Sequence, residues 1–580
     1  MKYDLEEFDR AVEYYKGFIK SIGQKNILIV SDVKYKEAFF SFAPLTRAIH
    51  ELNKEVHIVV KNKKSQSLDV LLEVLKTYQD LEHGIDSKKT SALDDFIKIA
   101  GRRVKNFRKL FEWPYIIDVE LGFNGMEFKT AWFKARMQKQ LETTCGKIWR
   151  YVYDIKAKER VSIGFETIPK KSEMELPLED YLDSYAITWK MMETCKARSS
   201  MGAATPRASQ LEFAERLSSL RSCLLGCELS KNVNMAVFRK FKKLSKLLRI
   251  SRLEIASASF FIHGKGYGGR LHFGEDIGYP SPDRKTKWTS PAGIIYKLDW
   301  FPQTKIDKRP PRARVAFTET LPIEVFIETN NIDWVKMVKR TRKIQGVIEG
   351  CSKILVKGRR FGGLQTNLTV DLIKEDGTRR WVRADDGKET RKIIHKMYFK
   401  KKGIKAGAMS NIPAGEVFVT PQSMTGVFVG DVVINIDRSY ILRKPFVVKT
   451  LGKDYKILQA QKEILKKFNK RKRESWKNLL IQEKNKSLPK SIIELRKRNF
   501  NNIGEFAINT NPEAKLSNYL IVNEKIANMI HIALGSGFEP DRETVYHMDI
   551  VINAPKQKLD IYGLKGKKKI WILKGGRFVV

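Results

Sequence analysis

Apolar positions recur at helical spacing from the start of the chain. Leu5, Phe8, Ala11, Val12, Tyr15, Phe18, Ile19 and Ile22 fall on one side of a 3.6-residue turn and predict an amphipathic helix over Leu5–Ile22. The continuous run NILIV (26–30), ending in Ser31 and Asp32, reads as a strand buried on both faces. A helix over 35–52, a second strand at VHIVV (56–60) and a helix over 68–81 follow, and this alternation predicts a doubly wound α/β unit. SDVKYKEAFF stands where a glycine-rich fingerprint would follow the first strand, which argues against a dinucleotide site.

The pattern then loosens. YIIDVELGF (115–123) reads as a strand, MELP (174–177) as a break before helices over 181–195 and 211–227, and small, polar ARSSMGAATPRAS (197–209) as a loop. A basic helix is expected over 238–248. The glycines after His263 lack Walker spacing, so a hairpin or surface loop is expected there, and His263 and His272 have no carboxylate pattern around them. Residues 323–327 read as a strand and 334–350 as a helix closed by Gly350. Short strands dominate afterwards, at 354–356, 367–372 and 380–382, with turns such as Glu375-Asp376-Gly377. The expected class is α/β, with an N-terminal doubly wound α/β domain over 1–330 that carries irregular insertions. A C-terminal α+β domain rich in antiparallel strands follows over 331–580, interrupted by a basic helical insertion at 453–498.

Composition narrows the class. A chain of 580 residues with 42% hydrophobic content exceeds the size of a single core, so two or more domains are expected. No stretch approaches the ~18 apolar residues of a membrane span, and the charged, helix-patterned start is unlike a signal peptide. A cytoplasmic protein without membrane contact is the expectation. Five cysteines, an odd number scattered along the chain, suit free thiols in a reducing compartment. A net charge of +43 invites a polyanion partner, RNA above all, with the densest run at KKFNKRKR (466–473). The excess is spread along the whole chain, however, and a generally lysine-rich composition explains it more simply. The insertion can serve as a lid, a partner arm or an RNA contact; a helical excursion without such a role is the simpler reading.

Candidate chemistry gathers in the last third. NIPAGEVFVT (411–420) reads as a turn followed by a strand that Glu416 opens, and Glu505 stands similarly after Gly504 in GEFAIN. In VYHMDIVI (545–552), His547 and Asp549 lie two apart, so a strand puts both on one face and Tyr546, Met548 and Ile550 on the other. His531 is expected near the C-terminal end of a helix that Asn523-Glu524 opens and Gly535 ends. Three carboxylates and two imidazoles form a mixed oxygen and nitrogen donor set that suits two borderline divalent ions sharing a bridging water. Asn509 and Asn511 either shape the turn beside Glu505 or contact substrate.

These segments resemble one family. NIPAGEVFVTP (411–421), GEFAINTNPEA (504–514), NEKIANMIHIALGSGF (523–538), HMDIVI (547–552) and the ending LDIYGLKGKKKIWILKGGRF (559–578) are similar to the thermophilic metallo-aminopeptidases of the aminopeptidase T and aminopeptidase S type. The resemblance covers much of 353–580 and is looser before it. It implies Glu416, Glu505, His531, His547 and Asp549 as ligands of two divalent ions (zinc, cobalt or manganese), peptide substrates cut after the N-terminal residue, and a homodimer. The family's tyrosine seven residues after the ligating histidine is replaced here by Phe538, which would contact substrate. The mechanism implied is a metal-activated water, with one ion polarising the scissile carbonyl and the other, helped by a carboxylate, holding the free α-amine. Either Glu416 or Glu505 relays the proton. The alternative is a catalytically impaired peptidase-like scaffold that binds nucleic acid through its basic surface.

Overall fold

The computed structural model describes residues 3–22, 26–33, 36–61, 115–118, 135–155, 160–204, 258–263, 287–289, 295–297, 314–361, 363–387, 408–486 and 490–580. The expected helices over 68–81, 211–227 and 238–248, the glycine-rich segment 264–286, Cys223 and Cys227 lie outside the described residues. Two compact units divide the chain. One comprises Met1–Gly146, Ile155–Ile262 and Trp300–Ile306, the other Lys147–Asp154, His263–Asp299 and Asp307–Val580.

In the first unit, Leu5–Ile22 is the helix that its apolar spacing predicts, with Phe8, Tyr15 and Ile19 fully buried. Asn26–Asp32 pairs in parallel with Glu55–Lys61 and Tyr115–Asp118, and Arg160–Glu166 pairs in parallel with Arg198–Ala204 and Ala258–His263. One antiparallel junction, His57–Lys61 against Ser200–Ala204, joins the two halves. Helices Lys36–Glu51 and Leu178–Thr194 complete a mixed α/β arrangement. The loop expected over 197–209 is a paired strand over Arg198–Ala204. RSSMGAA has no alternation and no large apolar run, so its strand state comes from neighbours on both sides, a tertiary effect that local pattern does not carry.

The second unit is built on two antiparallel sheets. The larger runs Asp454–Gln459, Phe446–Gly452, Ser423–Gly430, Leu364–Asp371, Lys353–Phe361, Asp560–Lys565, Lys568–Lys574, Arg577–Phe578 in spatial order. The smaller, which we call the site sheet, runs Val382–Asp385, Glu416–Val419, Ile503–Asn509, Met529–Gly535, His547–Asn553, Val433–Asn435, Ser439–Ile441. The insertion expected over 453–498 begins as the edge strand of the larger sheet and continues as two helices, Lys462–Lys484 and Lys490–Arg498. Residues 323–327, read as a strand, belong to a helix, Ile323–Asn330, that starts after Pro322 and buries Ile323, Phe326 and Ile327. A short apolar run serves either state, and here burial at i, i+3 and i+4 decides for the helix.

The period of two along the site sheet sorts its residues by function. Val417, Val419, Phe506, Ile508, Ile530, Ile532, Met548, Ile550 and Ile552 point into one core with Ile354, Val356, Leu368, Val370, Phe428 and Val448 of the larger sheet. The intervening residues, Glu416, Glu505, Asn509, His531, His547 and Asp549, therefore share the opposite face. One irregularity makes this possible. Ile503 pairs with Leu534 but Glu505 with Ala533, so Gly504 is an extra residue that switches the phase of the strand. Without it, Glu505 would follow Ile503 into the core.

Gly504 also has no room for a side chain, because an added Cβ would lie 2.0 Å from the Ser536 carbonyl oxygen. Gly504→Ala should therefore destabilise the protein by about 1–3 kcal/mol in urea unfolding, since the neighbour in the way is backbone. An unchanged midpoint would show that the bulge can relax freely.

Candidate metal centre

Three strands of the site sheet deliver the innermost group. Glu416 lies across from Asn509, Glu505 across from Ala533, and His531 across from Ala507. The two alanines keep the floor between the longer side chains low. Glu416, Glu505 and His531 are all buried, and one donor atom from each lies within 4.8 Å of the other two. His531 Nδ1–H donates to Asn509 Oδ1 at 2.9 Å, which leaves Nε2 facing Glu505 Oε1 at 3.2 Å and Glu416 Oε2 at 3.8 Å. Glu416 Oε2 is buried with no hydrogen-bond partner among the described residues. A carboxylate oxygen stripped of water and facing an imidazole nitrogen is chemically suited to a cation.

His547 and Asp549 flank this group. Asp549 lies across from Ala533 on the side opposite Glu505, and His547 across from Gly535. His547 Nδ1–H donates to the Ser536 carbonyl at 2.8 Å, and Nε2 stands 3.1 Å from Asp549 Oδ1 and 4.0 Å from Glu505 Oε2. All five acids and imidazoles singled out from the sequence therefore share one face of one sheet. The expected helix around His531 is absent. Leu520–Asn523 is a single turn, Asn528 takes a left-handed φ of 60°, and His531 is the third residue of strand Met529–Gly535. The core-facing Ile530, Ile532 and Leu534 alternate at period two, a signal outweighed in the sequence by the Asn-Glu pair that resembles a helix start.

Sequence reasoning missed three charged members of the cluster. Lys525 is fully buried, with Nζ 2.8 Å from Glu416 Oε1, 3.6 Å from Glu524 Oε2 and 4.0 Å from Asp385 Oδ2. Asp385 pairs across the strands with Glu416 and accepts the Ser410 hydroxyl at 2.7 Å. Asp385 sits in ADDG, which reads as a turn; Glu524 and Lys525 lie in NEKIANMIHIALGSGF (523–538), where nothing in their spacing announces burial.

Titration follows from this crowding. Burial, then the neighbouring Glu505, raises Glu416 above the usual carboxylate range, while Lys525 opposes the shift. Burial, reinforced by Glu416, carries Asp385 up to about 7 against the pull of Lys525. Burial and Asp549 hold Glu524 well above its ordinary range, so it keeps its proton and donates to Asp549. Burial acts on Asp549 in the same direction, but His547 and His531 outweigh it and hold the group below its usual range. Desolvation disfavours the His547 imidazolium, yet Asp549 and Glu505 outweigh it and push it up to about 10. Lys525 stays charged because its carboxylates more than offset its burial.

The remaining named residues are engaged by the protein itself. Asn509 fixes the His531 tautomer. Asn511 Nδ2 donates to the Thr329 and Ala414 carbonyls at 3.0 and 2.9 Å, and its Oδ1 accepts the amides of Glu513 and Ala514, both at 3.1 Å. Asn511 thus spends its side chain on the turn after Asn509. The Phe538 amide donates to Thr420 Oγ1 at 2.8 Å, its ring meets Phe418 edge-on at 5.7 Å, and the Arg383 guanidinium lies 4.3 Å from its centroid. Tyr546 points away from the site, donating to the Phe500 carbonyl at 2.6 Å.

Lys525 is the test of this electrostatic account. Lys525→Met should destabilise the metal-free protein by about 3–5 kcal/mol in urea unfolding, the usual cost of leaving buried charge uncompensated. Adding Glu416→Gln to it should restore part of the loss, since one of the stranded carboxylates is then gone. Additive losses in the double variant would disprove the coupling.

No family model matches the chain, and no curated protein matches it. Among solved structures, the chain is similar to wild-type AmpT from Thermus thermophilus, at 12% sequence identity and a TM-score of 0.39, over 77% of this chain and 100% of that one. The architecture rests on the strand pairings above.

Proposed function

We propose that the protein is a metal-dependent hydrolase that removes N-terminal residues from peptides. The observation that carries the reading is the convergence of Glu416, Glu505 and His531 from three strands, with a buried Glu416 oxygen that has no hydrogen-bond partner among the described residues. The donor set fits a divalent ion, because two carboxylates and an imidazole preset by Asn509 match the preferences of zinc, cobalt and manganese. His547 and Asp549, with Glu505 between them and the first group, are the donors for a second ion. When bound, such ions supply a water acidic enough to attack at neutral pH and a Lewis acid for the scissile carbonyl.

The chain's own residues divide the other tasks. Glu505 Oε1 and Oε2 lie between His531 and His547, at 3.2 and 4.0 Å, so this carboxylate is placed to take a proton from water and return it to the leaving amine. Lys525, 2.8 Å from Glu416 Oε1, opposes the upward shift that burial imposes on that carboxyl. The carboxylate excess favours a free α-amine at the same spot, which restricts cutting to the first peptide bond. The motif resemblance supplies the peptidase class and the expectation of a homodimer. A second reading, a metal-holding scaffold without turnover, draws on Phe538. A phenyl ring offers no hydroxyl to a developing oxyanion, and losing such a donor costs roughly 2–4 kcal/mol of barrier.

Metal analysis alongside a panel of aminoacyl substrates separates the two. Turnover that chelation abolishes, that metal restores, and that Glu505→Gln lowers about 10²–10⁴-fold supports the peptidase. Bound metal without turnover on any substrate supports the scaffold.

The raised His547 pKa gives an independent check. The imidazolium persists up to about pH 10 in the metal-free site and must lose its proton to become a ligand. Metal binding at pH 7–9 should therefore release a proton from His547, and affinity should climb with pH by roughly tenfold per unit until it levels near the folded pKa. Calorimetry in buffers of different ionisation heat measures the release, and His547→Gln should abolish it. A release that survives this substitution would remove His547 from the ligand set.

A further inference from the structure

The two helices Lys462–Lys484 and Lys490–Arg498 give no donor to the metal centre, yet they are anchored beside it. Ile464, Phe468, Leu479 and Ile493 are buried, Trp476 meets Phe500 edge-on at 4.7 Å, and Arg496 bonds Glu543 at 2.7 and 2.9 Å. The side of the longer helix turned to solvent has a different character. Lys462, Lys466, Lys470, Arg473, Lys477 and Lys484 are all exposed and recur every three, four or seven residues, so they form one row along the helix. The row runs about 33 Å at 1.5 Å per residue. No acid interrupts it. Glu463 and Glu474 lie on its flank, and only Glu474 reaches in, to Lys470 at a weak 3.8 Å.

We propose that this row is a docking surface for a nucleic-acid duplex, gripped through its phosphodiester backbone. Charge complementarity favours that occupant. Six cations on a rigid rod, with successive members about 4.5–10.5 Å apart along the axis, face a partner whose strand carries a phosphate about every 3.4 Å, so phosphates are dense enough to meet several cations at once. An anionic membrane fits less well, because the exposed apolar residues Trp476, Leu480 and Ile481 are confined to the C-terminal half of the helix and give no continuous face for insertion. Single strands fit less well too, since the row itself carries no aromatic side chain and the one exposed ring beside it, Trp476, already packs on Phe500. The chain's +43 charge supplies the long-range attraction, and the row supplies the place where it is organised.

The test measures anisotropy of short labelled RNA and DNA duplexes, and of a single-stranded RNA, with the full chain at several salt concentrations. The wild type should bind a duplex with steep salt dependence and prefer it to the single strand. Lys466→Glu, Lys470→Glu and Arg473→Glu combined should weaken binding at least about tenfold and lower the salt slope by about one unit per residue changed. Lys567→Glu with Lys568→Glu, an equally exposed basic pair in a distant hairpin, should bind as the wild type does. Thermal melts establish that both variants fold. Glu416→Gln should leave binding intact, so failure of the hydrolase reading and failure of this one are distinguishable. Equal weakening by the triple and the double variant, tighter binding to the single strand, or row-dependent binding to anionic vesicles without duplex binding would each overturn the proposal.

Discussion

Carboxylates buried side by side repel one another and lose their hydration, and the second unit gathers five of them, four on one sheet face and Glu524 from the turn after Leu520–Asn523. Asp385, Glu416, Glu505, Glu524 and Asp549 face Lys525, His531 and His547. Desolvation of each ion costs several kcal/mol, so the arrangement persists only where protons or cations neutralise it. Three shifts run in that direction. Burial and Asp549 push Glu524 well above its ordinary range, the carboxylates around Lys525 favour its charged form, and Asp549 favours the His547 imidazolium. A divalent ion replaces protonation with a stronger neutraliser, and this is the physical sense in which the cluster is suited to metal.

The sandwich makes that crowding affordable. Strand pairing satisfies the backbone beneath the site, and the reverse face of the same strands carries an unbroken apolar layer against the larger sheet. Repulsion on one face is therefore opposed by packing on the other, through residues that alternate along the same strands. The segment between His531 and His547 depends on ions as well. Arg380 binds Asp541 through both oxygens at 2.7 and 2.8 Å and reaches Glu539 at 3.1 Å, while Arg542 donates to the Gln422 carbonyl at 2.7 Å. These bonds fix the path of the chain that carries Phe538 and leads into the His547 strand.

Legibility in the sequence followed the range of the forces involved. The placement of His547 and Asp549 on one face needs only the period of a strand, and Glu416 needs only a turn punctuated by Pro413 and Gly415. His531 is expected on a helix because Asn-Glu is a strong local start signal, whereas the competing strand is stabilised by partners twelve or more residues away on both sides. Arg198–Ala204 escaped for the same reason. Lys525 was illegible in a different way. A buried lysine is rare enough that nothing local argues for it, and only the assembled carboxylates explain why it stays charged. The Gly504 bulge, which decides the face of Glu505, leaves no mark beyond one glycine.

The helical insertion shows how a surface element and a buried site can share a support. Lys472 Nζ lies 5.0–5.9 Å from the rings of Tyr455, Phe468, Phe500 and Tyr546, and 2.7 Å from Asn501 Oδ1. Ring faces, not a carboxylate, stabilise this ammonium, so the helix is pinned without drawing an acid away from the acidic face of the site sheet. Tyr546 belongs to the same cluster through its hydroxyl contact with Tyr455 at 2.8 Å, and its backbone carbonyl accepts the Ser536 amide at 2.7 Å. Ser536 in turn orients His547. A chain of contacts thus runs from the seated side of the helix to the His547 imidazole, while the basic row points the other way. The helix can meet a large partner on its outer side and still hold the site's rim on its inner side, because the two faces use different residues for different forces.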